Sequence, residues 1–472
     1  MKTRAGLIAL FGLVVWLLPE WLHAELKLPT VIGDNMVLQR ERPLPVWGWE
    51  SPGTSVSVSL GNSRATTTAG ADGRWRVELP AQAAGGPHTL TIAASTTRQL
   101  ENILIGEVWV CSGQSNMAWT VAASANPDQE IAAGDHPRIR HIKIANTPAE
   151  TPQEDVPSGG WQVCSPETVA QFSAVGYYFG RRLHQQLDVP IGLIGSNWGG
   201  TRIEPWTPPA GFRHVPALQE IADHLEQYPR RTAEGRVHHQ SPLALYNGMI
   251  HPLLPYAVRG AIWYQGESNR GEGLLYHEKM KALIHGWRTV WNDPEMPFYY
   301  VQLAPFRYGG DPTALPGIWE AQRKTLHVPH TGMAVTVDIG DLDDIHPANK
   351  QDVGKRLALW ALAQTYGRDD LVYSGPLFRS LEIQGSEAII SFDHVGSGLV
   401  SRDEQPLTWF TIAGEDREFV PAEARIVGET VVVSAAAVAE PVAVRFGWHQ
   451  EAEPNLSNRE GLPASPFRTD RW

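Results

Sequence analysis

The chain has 472 residues, 42% of them hydrophobic and 19% charged, with a formal net charge of −12. That length provides for about two or three domains and a large core. The acid excess, with no basic stripe along the chain, argues against a nucleic-acid partner, and two cysteines are too few for a disulfide scaffold.

In chain order, residues 1–24 read as a cleavable signal peptide. Lys2 and Arg4 precede the apolar run Ala5 to Leu18, Pro19 follows, and Leu22-His23-Ala24 fits a cleavage site. The run is shorter than the ~20 residues a spanning helix needs, and no later segment is apolar and long enough. The expectation is a periplasmic or secreted protein with no stable membrane insertion. Residues 25–102 alternate apolar and polar in short runs, as in Ser55 to Leu60 and Trp75 to Leu79, with turns such as Gly70-Ala71-Asp72-Gly73 between them. This predicts an N-terminal β-sandwich-like domain. Over residues 103–370 strand-like runs alternate with helical ones: the helix Ala174 to Leu187, then strands at Val189 to Gly195, Arg259 to Tyr264, Phe298 to Leu303 and Met333 to Ile339, then an amphipathic helix from Lys350 to Tyr366. Alternation of this kind implies a parallel sheet covered on both faces. Strands return over residues 371–472, giving a second β domain. Cys111 and Cys164 read equally as a disulfide or as two buried thiols.

The chemistry gathers in four places. The run Val108-Trp109-Val110-Cys111 reads as a buried strand, and Gly113-Gln114-Ser115-Asn116-Met117 as the turn leaving it. A serine there is well placed as a nucleophile, because ligands of open α/β sheets bind at the carboxyl edge. A base is available in Asp341-Leu342-Asp343-Asp344-Ile345-His346-Pro347, where the proline keeps His346 out of a helix. Asp343 can fold back to orient the imidazole, with Asp341, Asp344 and Glu267 as rival carboxylates. Gly199-Gly200 follows one strand and can aim N–H groups at an oxyanion; Gln265, after the next, can add a side-chain amide. Gly266-Glu267-Ser268-Asn269 repeats the Gly-x-Ser-Asn pattern and makes Ser268 a rival nucleophile. The Gly-x-Ser-x-Gly elbow of α/β-hydrolases is absent, and neither His-Glu-x-x-His nor paired cysteines suggest a metal. The 18 tryptophans are many. Trp198, Arg202, Trp206, Asn247 and Tyr264 are candidate sugar contacts, joined by Gln114, Asn116 and Glu267 within the blocks themselves.

Four blocks in this order, Gly-Gln-Ser-Asn-Met, Asn-Trp-Gly-Gly-Thr, Trp-Tyr-Gln-Gly-Glu and Asp-x-x-His-Pro, make the chain similar to the sialate O-acetylesterase family of SGNH-type hydrolases. The resemblance extends to the ending Asn455-Leu456-Ser457-Asn458 through Ser465-Pro466-Phe467-Arg468. It implies a three-layer α/β/α catalytic domain with Ser115 as nucleophile and His346 as base. It also implies an oxyanion hole built from Ser115, Gly199 and Gln265, with no cofactor and no metal. The expected reaction is removal of O-acetyl groups from a carbohydrate, either an acetylated plant polysaccharide such as xyloglucan or xylan, or O-acetyl sialic acid. A catalytically silent glycan-binding protein and a sugar O-acyltransferase are the alternatives.

Overall fold

A computed structural model describes residues 25–472; the expected signal peptide lies outside them. The centre is a parallel sheet in the order β13-β12-β11-β7-β10-β8, with β9 antiparallel at one edge. Its strands are β7 (Thr97–Gly113), β8 (His136–Lys143), β9 (Gln162–Cys164), β10 (Ile191–Asn197), β11 (Gly260–Tyr264), β12 (Phe298–Val301) and β13 (Thr331–Ala334). β10, β11 and β12 are buried along their whole length, which is why they read as unbroken apolar runs.

Helices cover both faces. Gly260 of β11 stands opposite Trp109 of β7, and Trp263 opposite Ser112, so Trp109 and Trp263 project to opposite sides. Trp109 packs edge-on against Phe179 of helix Ala174–Leu187. That helix crosses helix Lys350–Gln364 at Gly354, where a Cβ would lie 2.6 Å from Tyr178 Cβ. Trp263 meets Trp287 of helix Leu275–Val290 on the other face. The fold is therefore a three-layer α/β/α arrangement with β-sheet regions attached.

The amino-terminal strands do not form a separate body. β1 (Val37–Gln39) pairs in parallel with the middle of β7, at Leu104 to Gly106, and β6 (Gly85–Ala93) pairs antiparallel with its first half. The boundary expected at residues 102/103 thus falls inside a single 17-residue strand. Val46, Val58, Leu79 and Ile92 belong to the same continuous core as Trp109 and Val110. The carboxyl-terminal region has a core of its own, including Ile390, Phe392, Ile412, Val444, Phe446 and Phe467, between two four-stranded sheets. Cys111 and Cys164 are buried free thiols. They sit on β7 and β9 with β10 and β8 between, about 14 Å of strand spacing, twice what a disulfide can span. No helix among the described residues is long and apolar enough to cross a membrane.

Candidate active site

Three neighbouring strands end on one row. Gly113 of β7 is flanked by Asn197 of β10 and Tyr264 of β11, so the turns carrying Ser115, Gly199 and Glu267 leave the sheet together. Gly113 has φ 132°, and a Cβ there would lie 2.1 Å from the Tyr264 carbonyl oxygen, so only glycine fits. Gln114 N–H donates to Tyr264 O at 2.9 Å, and Trp198 N–H to Gly113 O at 3.0 Å. The serine turn is thereby stitched to both neighbours. Ser115 opens the short helix Ser115–Ala118, which leaves its own N–H without an intrahelical partner.

His346 lies on the loop after β13. Its Nε2 is 2.9 Å from Ser115 Oγ. The Trp119 ring stacks on the imidazole with centroids 4.5 Å apart, a geometry that favours an imidazolium when one forms. Burial pushes the His346 pKa below its ordinary value; the Asp344 carboxylate opposes this and the Lys350 ammonium adds to it. The carboxylate beside the imidazole is not the expected Asp343. Asp341 Oδ1 accepts from the N–H groups of both Asp343 and Asp344, and the resulting turn sends Asp343 outward to Arg307, 2.5 Å away. Asp344 instead faces the histidine: its Oδ1 accepts from His346 N–H at 2.8 Å and lies 3.6 Å from Nδ1. That separation is ion-pair range and too long for a hydrogen bond.

The oxyanion side also differs in one member. Gly199 packs on Ser115, where a Cβ would come 3.3 Å from Ser115 Cβ. Gln265 is wholly buried and its amide is fully used. Nε2 donates to Thr201 O (3.1 Å) and Asn269 Oδ1 (2.8 Å), while Oε1 accepts from Tyr276 (2.9 Å). It has no hydrogen left for an oxyanion, and ties the turns after β10 and β11 together.

Most of the expected sugar contacts are buried or already paired within the protein. Gln114 is buried, its Oε1 facing the N–H groups of Gly266 (3.5 Å) and Ser268 (3.4 Å). Trp206 is buried and donates to Thr201 Oγ1; Asn247 is buried and donates to the carbonyls of Ala149 and Glu150; Tyr264 is buried beneath Lys350. Asn116 and Glu267 hold each other at 2.6 Å. Arg202 is neutralised by Glu204 at 2.9 Å and by Glu272, so it offers no unpaired guanidinium to a sugar carboxylate. Ser268 has no hydrogen bond to a histidine among the described residues.

Trp198 remains available. Half-buried and stacked on His239, it lines a hollow of about 390 Å³ together with Ala118, Thr120, Lys143, Asn146 and Gly199, the glycine that packs on Ser115. Lys143 is exposed, and its Nζ donates to Asn197 O at 2.9 Å and to Asn197 Oδ1. Sequence reasoning missed Lys143, Trp119 and Lys350. Only Lys350 left a usable signal: the spacing His-Pro-x-x-Lys places it four residues beyond His346, at the start of the next helix.

Residues 105–363 match the SASA family, described as carbohydrate esterase, sialic acid-specific acetylesterase. The sialate O-acetylesterases of Pongo abelii and Homo sapiens are each 30% identical over 93% of this chain and 92% of their own. A carbohydrate acetylesterase from Xanthomonas citri superposes with a TM-score of 0.88 at 42% identity, covering 95% of this chain and 100% of that one. Fold, site and relatives together define a carboxylic ester hydrolase of the carbohydrate-acetylesterase class. Within that class the chain belongs to the sialate O-acetylesterase family.

Proposed function

We propose that this protein is an exported serine esterase that removes O-acetyl groups from a polysaccharide, with Ser115 as nucleophile, His346 as general base and Asp344 as the carboxylate that steadies the imidazolium. The observation that carries the reading is the 2.9 Å approach of Ser115 Oγ to His346 Nε2 at the carboxyl edge of the sheet. Ser115 Oγ attacks the acetyl carbonyl as its proton passes to Nε2. The N–H groups of Ser115 and Gly199 receive the negative oxygen. On collapse His346 protonates the departing sugar oxygen, leaving an acetyl-serine. Water, activated by the same imidazole, then releases acetate. The sugar occupies the hollow beside Trp198. Export rests on the apolar leader at residues 1–24.

The pairing of Arg202 with two glutamates favours a neutral substrate such as acetylated xyloglucan or xylan. O-acetyl sialic acid is the second reading, favoured by the Lys143 ammonium in the hollow, which has one hydrogen left after serving Asn197. Acetate release from acetylated xyloglucan, acetylated xylan and O-acetyl sialic acid, each with and without added acceptor sugar, separates the readings. The expected result is free acetate, fastest from a neutral polysaccharide, and loss of at least about 10³-fold in Ser115→Ala. Acetyl appearing on the acceptor would make the protein a transferase. Turnover surviving in Ser115→Ala but lost in Ser268→Ala would overturn the site.

A further inference from the structure

Lys350 is an expensive residue where it stands. It is wholly buried, and it is the first residue of helix Lys350–Gln364, where a positive charge opposes the helix dipole. Its Nζ donates to Asn116 Oδ1 at 2.6 Å and lies 5.4 Å from the centre of the Tyr264 ring. The other end of the Asn116 amide meets a carboxylate, since Nδ2 donates to Glu267 Oε1 at 2.6 Å and to the Ile345 carbonyl at 3.0 Å. Glu267 Oε2 is buried with no hydrogen-bond partner among the described residues; burial raises the Glu267 pKa, and backbone N–H groups, the Asn116 amide and the Lys350 ammonium across that amide oppose the rise. An ammonium on one side and a carboxylate on the other leave the amide one orientation. Flipped, it would set N–H against ammonium and oxygen against carboxylate. The bond this orientation secures joins the residue after Ser115 to the residue before His346.

We propose that Lys350 and Glu267 are positioning residues: acting through Asn116, they lock the amide that ties the nucleophile turn to the histidine loop and so set the Ser115–His346 separation. The kinetic half of the test rests on the esterase reading; a spectroscopic half does not. The charged and titratable groups around Lys350 are Glu267 from the turn after β11, Tyr264 from β11 and Asp344 from the histidine loop; those acting on His346 are Asp344 and Lys350. Burial brings Lys350 down to about 7, with Glu267 and Asp344 opposing.

The experiment compares Lys350→Met with Lys350→Gln, which keeps an N–H for Asn116 Oδ1. It measures kcat and KM on an aryl acetate, and follows His346 by nitrogen-15 NMR, where the Nε2 shift reports the bond to Ser115. Lys350→Met is expected to lose at least about tenfold in kcat with KM within about threefold, because small misplacement of reacting groups is costly. Its Nε2 signature should weaken and its His346 pKa rise once the nearby cation is gone. Lys350→Gln should recover kcat and the Nε2 signature while keeping the raised pKa. A folded Lys350→Met with wild-type kcat and an unchanged Nε2 shift would overturn the proposal, as would a folded Lys350→Gln no better than Lys350→Met. A wild type inert towards aryl acetate would remove the esterase reading, and the clamp would then be decided on the Nε2 shifts alone.

Discussion

At the residue scale, two carboxylates adjacent in sequence are assigned opposite tasks by one capping side chain. Asp341 closes the turn that turns Asp343 out to Arg307 and leaves Asp344 beside His346. Asp344→Asn should therefore lower kcat/KM by about tenfold, a modest loss because the carboxylate is half exposed and not hydrogen-bonded to Nδ1. Asp343→Asn should change it by less than about twofold. The sign of the pH effect is a second check. His346 works as a base only when neutral, and burial already holds its pKa below the ordinary histidine value, so activity should persist below that pH. Asp344 favours the imidazolium, so its removal lowers the pKa further and moves the acid limb of kcat/KM to lower pH. Rate–pH profiles of the two variants measure this; an acid limb unmoved in Asp344→Asn, or moved in Asp343→Asn, would return the orienting role to Asp343. The acidic loop declared its carboxylates in sequence, but not their directions, because direction depends on which side chain caps which N–H.

At the element scale, what could be read from sequence was what repeats or runs unbroken. Helix Ala174–Leu187 is found where its apolar spacing put it, and β11 begins one residue after the expected Arg259. The run expected from Met333 to Ile339 is strand only over Thr331–Ala334, since beyond it the chain leaves the sheet to carry the histidine loop. The change of rhythm near residue 103 is real, but it marks a change of burial within β7: mostly exposed up to Asn102, buried from Ile103 on. Blocks around a nucleophile mix groups that react with groups that hold the turns, and sequence does not separate them. Gln114, Asn116, Gln265 and Glu267 all make hydrogen bonds that link one turn to another. The close stitching of β7 to β11 makes a further demand at Gly113. Gly113→Ala would drive a Cβ to 2.1 Å from a backbone oxygen in a conformation side chains avoid. We expect a loss of about 3 kcal/mol or more in chemical denaturation; a variant as stable as wild type would mean the strands can part there without cost.

At the scale of the whole molecule, the issue is whether the carboxyl-terminal sandwich, with its separate core, is an independent unit. Its contacts with the α/β layers argue otherwise. Gln302, at the end of β12, donates to Ser465 Oγ at 2.9 Å, and neither residue is exposed to solvent. Arg468 pairs with Glu320 of helix Ala314–Thr325 at 3.0 Å, and Phe306 N–H donates to Gln450 O at 3.0 Å. Arg402 Nη1 donates to the Asp338 carbonyl, and the Asp338 carboxylate in turn holds Arg356, so the sandwich reaches the root of the histidine loop. Buried hydrogen bonds of this kind leave costly unpaired groups when one partner is removed. The two cores should therefore unfold together. Scanning calorimetry is expected to show one transition for the wild type, and Gln302→Leu, which strands Ser465, should lower stability by about 1–3 kcal/mol. Two resolved transitions in the wild type would show that the sandwich folds on its own and that its ties to the loop are incidental. A single transition that splits in Gln302→Leu would locate the coupling in that buried pair.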